Sequence, residues 1–245
     1  MENYLKSVKE RKAELRKAVW RMLEELNIAR FPRPVYGRIP NFMGAEEAGL
    51  RIVKTDLWMS ARVVKVNPDS PQRILRERAL AEGKIVIMAT PRLMNGFVIL
   101  DPRSIPSSRI KYASTIRGAL AYGRKLKLNE IPAIDLVVTG CVAVDREGRR
   151  LGKGGGYSEL EYGILRELGV IDERTPIVTN VHDLQIVEGI PMELHDLTVD
   201  VISTPSKLIR VKARGWRPKG IYWNMLGDRA SLEIVRELMA LKNRV

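Results

Sequence analysis

The stretch AIDLVVTGCVAVD (residues 133–145), followed by REGRRLGKGGGYSELEYGIL (146–165), decides the fold. The first part is almost uniformly apolar, which is typical of two short strands, or one bent strand, buried on both faces. The second part begins in a DREG turn, continues into a glycine-rich loop and becomes a helical pattern that Gly169 closes. A strand, a loop and a helix in this order bring backbone N–H groups and a helix N-terminus to one point, where anions bind.

The glycine-rich loop therefore predicts a phosphate site. Glycines lack a Cβ, so the backbone can adopt positive φ angles and approach a phosphate closely, while neighbouring cations supply charge. The alternative is a flexible hairpin that binds nothing. The candidate residues are Gly152, Gly154, Gly155 and Gly156 for the backbone, with Arg149, Arg150 and Lys153 for the charge.

Apolar periodicity on both sides of the loop predicts alternating strands and helices. The segments 61–66 and 84–90 predict strands joined by a helix over 68–83, a βαβ unit that implies a mostly parallel sheet covered by helices. The other expected elements are an amphipathic helix over about 3–27, helices at 45–53, 116–127 and 232–241, and strands at 96–101, 176–181, 197–204 and 207–211. The expected class is α/β.

Length and composition favour one domain over residues 1–245, with a basic extension from about 205 to 245. The formal charge of +13 attracts phosphates, on a nucleotide or on nucleic acid. Three segments contain several Lys or Arg and no Asp or Glu: 28–44, 102–129 and 205–227. No apolar run is long enough to cross a bilayer, so we expect a cytoplasmic protein without membrane contact.

Several large enzyme classes are excluded by missing motifs. The loop lacks the Walker pattern G-x-x-x-x-G-K-[ST], and the Rossmann pattern G-x-G-x-x-G fails at Tyr157. Only His182, His195 and Cys141 could supply imidazole or thiol ligands, which excludes a zinc cluster. Any metal should be a hard cation such as Mg²⁺, held by carboxylates and phosphates. Cys141 is expected to be a buried structural thiol.

The segment GRRLGKGGGY, followed by a helix, resembles the R-L-G-x-G-x-G-Y-Y-D signature of the 5-formyltetrahydrofolate cyclo-ligase family. KAELR (12–16) is similar to that family's K-x-x-L-R opening, GKIVIMATPRL (83–93) to its strand followed by a proline, and PMELHDLTVDVIST (191–204) to its closing segment. RIPNF (38–42) and VKVNPDSPQ (64–72) resemble the branch of methenyltetrahydrofolate synthetase domain-containing proteins. The resemblance covers roughly residues 12–204, in patches.

The resemblance implies a three-layer α/β/α fold like that of sugar-phosphate isomerases and coenzyme A transferases. It also implies an ATP- and Mg²⁺-dependent conversion of 5-formyltetrahydrofolate, or a relative, to 5,10-methenyltetrahydrofolate. Carried over by position, Lys12 and Arg16 would contact nucleotide phosphates together with Arg150, Lys153 and the loop glycines. Tyr157 would line the site, with Lys12, Arg150 and Tyr157 as catalytic residues, and Glu159 and Asp196 would hold Mg²⁺.

The sequence departs from the family pattern on the folate side. Ser158 stands at the second Tyr of the signature and Leu160 at the Arg after its Asp. The folate-binding G-x-x-E-P is not found, and its nearest equivalent is GFVILDP, which retains Asp101 and Pro102. ATP binding thus has more support in the residues than folate binding.

Two other functions remain open at this stage. Trp216, Tyr222 and Trp223 interleave with cations in KARGWRPKGIYW (212–223), a pattern that can bind RNA by stacking and charge, although it is also typical of a packed tail. Weak nucleic-acid binding is expected at most. An isomerase or acyl transferase of the same fold group would need a carboxylate base, for which Asp101 and Glu193 are candidates.

Overall fold

The computed structural model describes residues 2–212 and 215–243, with side chains from Ser7 onwards. Its helices are α1 (Glu2–Glu25), α2 (Ala45–Val53), α3 (Asp56–Ser60), α4 (Arg73–Ala81), α5 (Ile110–Ala113), α6 (Ile116–Tyr122), α7 (Tyr157–Glu167) and α8 (Glu233–Lys242). Its strands are β1 (Ala29–Arg30), β2 (Asn41–Phe42), β3 (Val63–Val66), β4 (Ile85–Ala89), β5 (Phe97–Leu100), β6 (Arg124–Leu126), β7 (Leu136–Val138), β8 (Ala143–Val144), β9 (Arg150–Leu151), β10 (Ile177–Asn180), β11 (Val201–Ser203) and β12 (Leu208–Arg210).

In these ranges the central sheet has eight strands in the order β12–β11–β10–β7–β3–β4–β5–β6. The five strands from β11 to β4 are parallel, while β12, β5 and β6 pair antiparallel with their neighbours. The chain runs from β3 outward to β4 on one side, and from β7 outward to β10 and β11 on the other. The direction of winding therefore reverses between β3 and β7, and crevices at such reversals bind ligands beyond the carboxyl ends of the strands.

Helices cover both faces of this sheet. Alternate strand residues such as Val64 and Val138 face a core formed with α2, α4, α5 and α6. The opposite face, which includes Ile87 and Val137, packs against α7 and α8. The expected three-layer α/β/α arrangement and mostly parallel sheet are confirmed.

Helix α1 packs outside these layers. Its residues Val19, Trp20 and Leu23 share a small core with Ala143 and Leu151 of the β8–β9 hairpin. This hairpin is separate from the central sheet. The chain therefore enters the glycine-rich loop from a hairpin that α1 supports. Of the two short strands in the segment 133–145, β7 belongs to the central sheet and β8 to this hairpin.

Two expected elements differ in the structure. The helix expected over 116–127 ends at Tyr122, and Arg124–Leu126 form the edge strand β6. The strand expected at 96–101 is present, but it runs antiparallel to β4 because the short 90–96 connection cannot hold the crossover helix that a parallel pair needs.

Across the described residues, each helix is too short or too polar to span a bilayer. The division into one domain is not tested by these observations and stays a prediction.

Cys141 is 1% exposed and lies in the core between the sheet and α7. Burial raises the pKa of its thiol to about 11, although contact with Thr179 and the charge of Arg150 oppose that shift.

Because the thiolate is the nucleophile, we expect iodoacetamide at pH 8 to leave Cys141 unmodified in the native protein and to modify it fully in urea, as measured by intact mass. A Ser107→Cys variant, at an exposed position, supplies the reactive control. Rapid native labelling of Cys141 would contradict its burial.

Candidate functional site

The glycine-rich loop ends directly at the N-terminus of α7. Gly156, the residue before the helix, has φ +65°, and no side chain caps the first turn. Gly154 has φ +101°. The positive φ of Gly156 favours glycine, and a Cβ there would displace the guanidinium of Arg229, whose Nη1 would lie 1.8 Å away. The uncapped N–H groups of the first turn, together with the helix dipole, favour an anion at the loop.

Arg150 joins the β8–β9 hairpin to α7. Its buried guanidinium donates to Oε1 of Glu159 and to the Gly140 carbonyl at 3.4 Å. Its buried Nε has no hydrogen-bond partner among the described residues. Gly140 lies two residues after the end of β7, so this one side chain connects the winding reversal of the sheet to the helix that carries the anion site.

Lys12 of α1 is buried, which excludes the alternative that it belongs to a solvated helix face. Its Nζ donates to Oε2 of Glu193 at 2.7 Å and to Oδ2 of Asp196. Burial alone would raise the pKa of Glu193, but the hydrogen bond and charge of Lys12 outweigh it, so this pKa lies below its ordinary value. The contact joins residues 184 positions apart and fixes α1 against the site.

Glu193, His195 and Asp196 form a carboxylate–imidazole group whose nearest oxygen and nitrogen atoms lie within 4.8 Å of one another. Oε1 of Glu193 and Nδ1 of His195 are buried without a hydrogen-bond partner among the described residues. Oxygen-rich groups of this kind suit a hard divalent cation. Glu159, the other carboxylate expected at a metal, lines the same cavity as this group and contacts Arg150.

Further cations surround the loop. Nε of Arg16 donates to the Gly152 carbonyl at 2.7 Å. Burial lowers the pKa of Arg16, while the carboxylates near it oppose that shift. Arg229, which precedes α8 and is 74 positions away in the sequence, donates to the Gly155 carbonyl at 3.4 Å. Lys153 is exposed, with its Nζ 3.8 Å from Oδ1 of Asp69.

Asp69 belongs to the loop that follows β3. Beneath this loop, the fully buried Arg76 donates to the carbonyls of Asn67 and, at 3.2 Å, Asp69. Burial lowers the pKa of Arg76 to about 10, so its guanidinium remains charged at neutral pH. Arg76 thereby holds the loop at the carboxyl end of β3 in place.

Two cavities meet at the glycine-rich loop. The first, the anion cavity, has a volume of about 270 Å³ and contains Lys12, Arg16, Arg229 and the group around Asp196. The second, the adjoining cavity, has a volume of about 730 Å³ and lies over the carboxyl ends of β3 and β4, bounded by the loops that contain Asp69 and Arg92. Both are lined by Gly152, Gly154, Gly155, Gly156 and Glu159. The glycine-rich loop is their common wall.

The structure brings most of the expected site residues together. Those that line one or both cavities are Lys12, Arg16, Gly152, Lys153, Gly154, Gly155, Gly156, Tyr157, Glu159 and Asp196. Arg150 lies behind the loop and contacts Glu159. Whether each residue has its expected role stays a prediction. The sequence analysis did not assign His195 or Arg229 to the site. His195 lies next to Asp196 in the closing segment PMELHDLTVDVIST, which could have indicated it, whereas no local pattern marks Arg229.

Asp101, in the nearest equivalent of the missing G-x-x-E-P, does not lie at the glycine-rich loop. Because β5 runs antiparallel to β4, Asp101 follows the end of β5 that is remote from the glycine-rich loop. Its carboxylate instead binds the neighbouring Arg103 in a surface turn. The same geometry argues against Asp101 as the base of an isomerase, and Glu193, the other candidate base, is held by Lys12.

The proposed RNA-binding tail is largely used in internal contacts. Arg217 is buried against Asp200, Nε1 of Trp216 donates to the Leu194 carbonyl at 2.8 Å, and Lys242 lies over the ring of Trp223. Arg214 of the same pattern lies outside the described residues. These contacts favour the interpretation of a packed tail.

A larger cavity of about 1200 Å³ lies beside Trp216 and β12. Its walls are mainly apolar, although Arg146, Arg149, Arg210 and Lys212 are among the residues that line it. The glycine-rich loop combines cations with the uncapped N–H groups of a helix N-terminus, so we place phosphate recognition there.

Fold and site together define the class: a three-layer α/β/α protein with a cation-lined glycine loop at the winding reversal of its sheet. A family model described as the 5-formyltetrahydrofolate cyclo-ligase family matches residues 8–205, and the chain belongs to that family. The resemblance seen in the glycine-rich loop is therefore confirmed.

Relatives of this chain carry related names. The methenyltetrahydrofolate synthase domain-containing protein of Bos taurus is 39% identical over 235 residues, which cover 92% of this chain and 62% of the relative. That of Homo sapiens is 38% identical over 237 residues, which cover 95% and 61%. The chain thus spans about three fifths of the length of these relatives. The solved structure of Aquifex aeolicus 5,10-methenyltetrahydrofolate synthetase shares the fold, with a TM-score of 0.52 and 19% identity over 82% of this chain and 93% of its own.

The buried Lys12 contact generates a test. Lys12→Met leaves two carboxylates together without their cation, and we expect a loss of about 3–5 kcal/mol in the free energy of unfolding at pH 7, measured in urea. The Glu193 pKa is depressed in the wild type, so the stability that Lys12 supplies is present above the ordinary glutamate pKa of about 4.3 and decreases as the pH falls through the depressed value. The difference in the free energy of unfolding between the wild type and the variant should therefore become smaller at acidic pH.

Lys9→Met removes an exposed cation from the same helix and is the matched control. We expect it to change the free energy of unfolding by less than about 1 kcal/mol. Equal effects of the two substitutions would show that the Lys12 contact is unimportant.

Proposed function

We propose that this protein is an ATP- and Mg²⁺-dependent cyclo-ligase that converts 5-formyltetrahydrofolate to 5,10-methenyltetrahydrofolate. The observation that carries the proposal is the common wall between the two cavities. A reaction that transfers a phosphoryl group to a second substrate needs the phosphoryl donor on one side of a phosphate-binding element and the second substrate on the other. Membership of the cyclo-ligase family supports the choice of reaction.

The phosphates would bind the uncapped N-terminus of α7 and the loop backbone. Arg16, Lys153 and Arg229 surround this point, so negative charge that develops there meets fixed cations. Arg150 lies behind the loop and acts indirectly, because its contact with Glu159 holds the first turn of α7 in place. Tyr157 lines the adjoining cavity and could position the second substrate against the loop.

The residues present also fit a divalent cation. Glu193 and His195 each present a buried ligand atom that has no partner in the described part of the chain, and Asp196 and Glu159 complete an oxygen-rich rim around the same cavity. When bound, ATP with Mg²⁺ would supply the activated phosphoryl group and neutralise its charge. Lys12 would keep Glu193 ionised for that purpose, since its hydrogen bond and charge lower the pKa of Glu193.

Turnover gives the direct test. Protein mixed with 5-formyltetrahydrofolate, ATP and Mg²⁺ should produce the near-ultraviolet absorbance of the methenyl product with one ADP per product, measured by absorbance and a coupled ADP assay. ADP release without the chromophore would show that the acceptor is another compound. Absence of both would contradict ligase activity.

Nucleotide binding can be tested without turnover. Saturating ATP with Mg²⁺ should raise the thermal midpoint, because a ligand that binds only the native state stabilises it. Gly155→Asp should abolish this shift by placing a carboxylate on the exposed loop where the phosphates would bind.

The control for this variant is Asn129→Asp, which adds the same charge in an exposed turn. It should leave the ATP shift intact. If Gly155→Asp retained the full shift, ATP would not bind at the glycine-rich loop.

A further inference from the structure

A lysine occupies an unusual place in the central sheet. Lys65 lies in β3 on the face that packs against α7, and its paired neighbours there are Ile87 of β4 and Val137 of β7. The residue is 2% exposed. Apolar side chains normally fill such a position in a parallel sheet covered on both faces.

The partner of this lysine is Glu161, which lies on α7 one turn after the glycine-rich loop. Nζ of Lys65 donates to Oε2 of Glu161 and, at 2.5 Å, to Oδ1 of Asn67. Burial raises the pKa of Glu161, while the charge of Lys65 opposes the shift. Replacing a buried ion pair by apolar residues is often neutral or stabilising, so stability alone does not explain why this pair is here.

The hydrogen bonds around Lys65 have a fixed direction. An ammonium group only donates, so the amide oxygen of Asn67 must face Lys65 and its nitrogen must point away. That nitrogen donates to Oγ of Ser158 at 3.3 Å. The hydroxyl of Ser158 thus accepts from Asn67, and its own hydrogen is left to donate.

The same network leaves one acceptor open. The contact of Lys65 with Glu161 engages Oε2, and Oε1 has no hydrogen-bond donor among the described residues. Glu161, Asn67 and Ser158 all line the adjoining cavity. Its floor therefore presents a carboxylate oxygen that accepts, next to a hydroxyl that donates.

We propose that this floor selects the second substrate by a ring edge that carries N–H donors beside a carbonyl acceptor, as in a 2-amino-4-oxopyrimidine ring. Oε1 of Glu161 accepts from the exocyclic amine beside the ring N–H, and Ser158 donates to the carbonyl. Lys65 is a positioning residue, because it fixes both groups without touching the substrate. The inference rests on the proposed function, in which the second substrate is a reduced folate with such a ring.

The test compares 5-formyltetrahydrofolate with its analogue in which a methyl group replaces the 2-amino group, by calorimetric titration. The wild-type protein should bind the amino compound about 10- to 100-fold more tightly, the range expected for hydrogen bonds to a charged group. In Lys65→Met/Glu161→Gln, which leaves no unpaired buried charge, most of this preference should be lost. The ATP-induced thermal shift of this variant should remain, which shows that the fold and the glycine-rich loop are intact.

The matched control is Arg73→Met/Glu77→Gln, which removes an ion pair between an arginine and a glutamate of α4. It should keep the preference for the amino compound. Ser158→Ala should weaken both compounds equally, since both retain the carbonyl.

The outcomes separate this inference from the proposed function. Reduced folate could bind while the double variant prefers the amino compound as strongly as the wild type does. The floor of the adjoining cavity would then not recognise the 2-amino group, and the cyclo-ligase proposal would stand. If the wild type binds ATP and neither folate compound, the proposed function fails and the inference about its substrate fails with it.

Discussion

The uncapped N-terminus of α7 is the constraint on which the rest of the site depends. A first turn without a capping side chain leaves backbone N–H groups that need an acceptor, and Gly156 brings the chain to that turn through a conformation that other residues rarely adopt. The β8–β9 hairpin, α1 and the turn before α8 each place a cation near this point. Because α7 packs on the sheet beside the winding reversal, the same helix also forms part of the adjoining cavity.

Buried charges organise this region more than apolar packing does. Lys12, Lys65 and Arg150 are each almost fully buried, and each meets a carboxylate of another element. For the two lysines that carboxylate lies at least 96 positions away in the sequence. Such pairs contribute little net stability compared with apolar contacts, yet they orient both partners closely because a misplaced buried charge is costly. In this protein they fix α1, β3 and the β8–β9 hairpin around the glycine-rich loop.

The sequence predicted the class of fold and the position of the glycine-rich loop, since apolar periodicity and glycine spacing are local signals. It also predicted Lys12 and Arg16, but only through the resemblance, because a helix with many charges does not show which lysine is buried. Strand direction was harder to predict: the reversal at β5 depends on the length of one turn, and it moved Asp101 away from the site. Arg229 and the Lys65–Glu161 contact could not be predicted, since they depend on tertiary packing between distant segments.

The contact of Lys12 with Glu193 and Asp196 also has a consequence for how the molecule is made. The lysine is synthesised 181 and 184 positions before its two partners. Helix α1 can form before they emerge from the ribosome, but it cannot bury its lysine until those carboxylates have emerged, because an unpaired buried ammonium is unfavourable. The anion cavity should therefore be completed late in synthesis of this segment, after Arg229 has emerged.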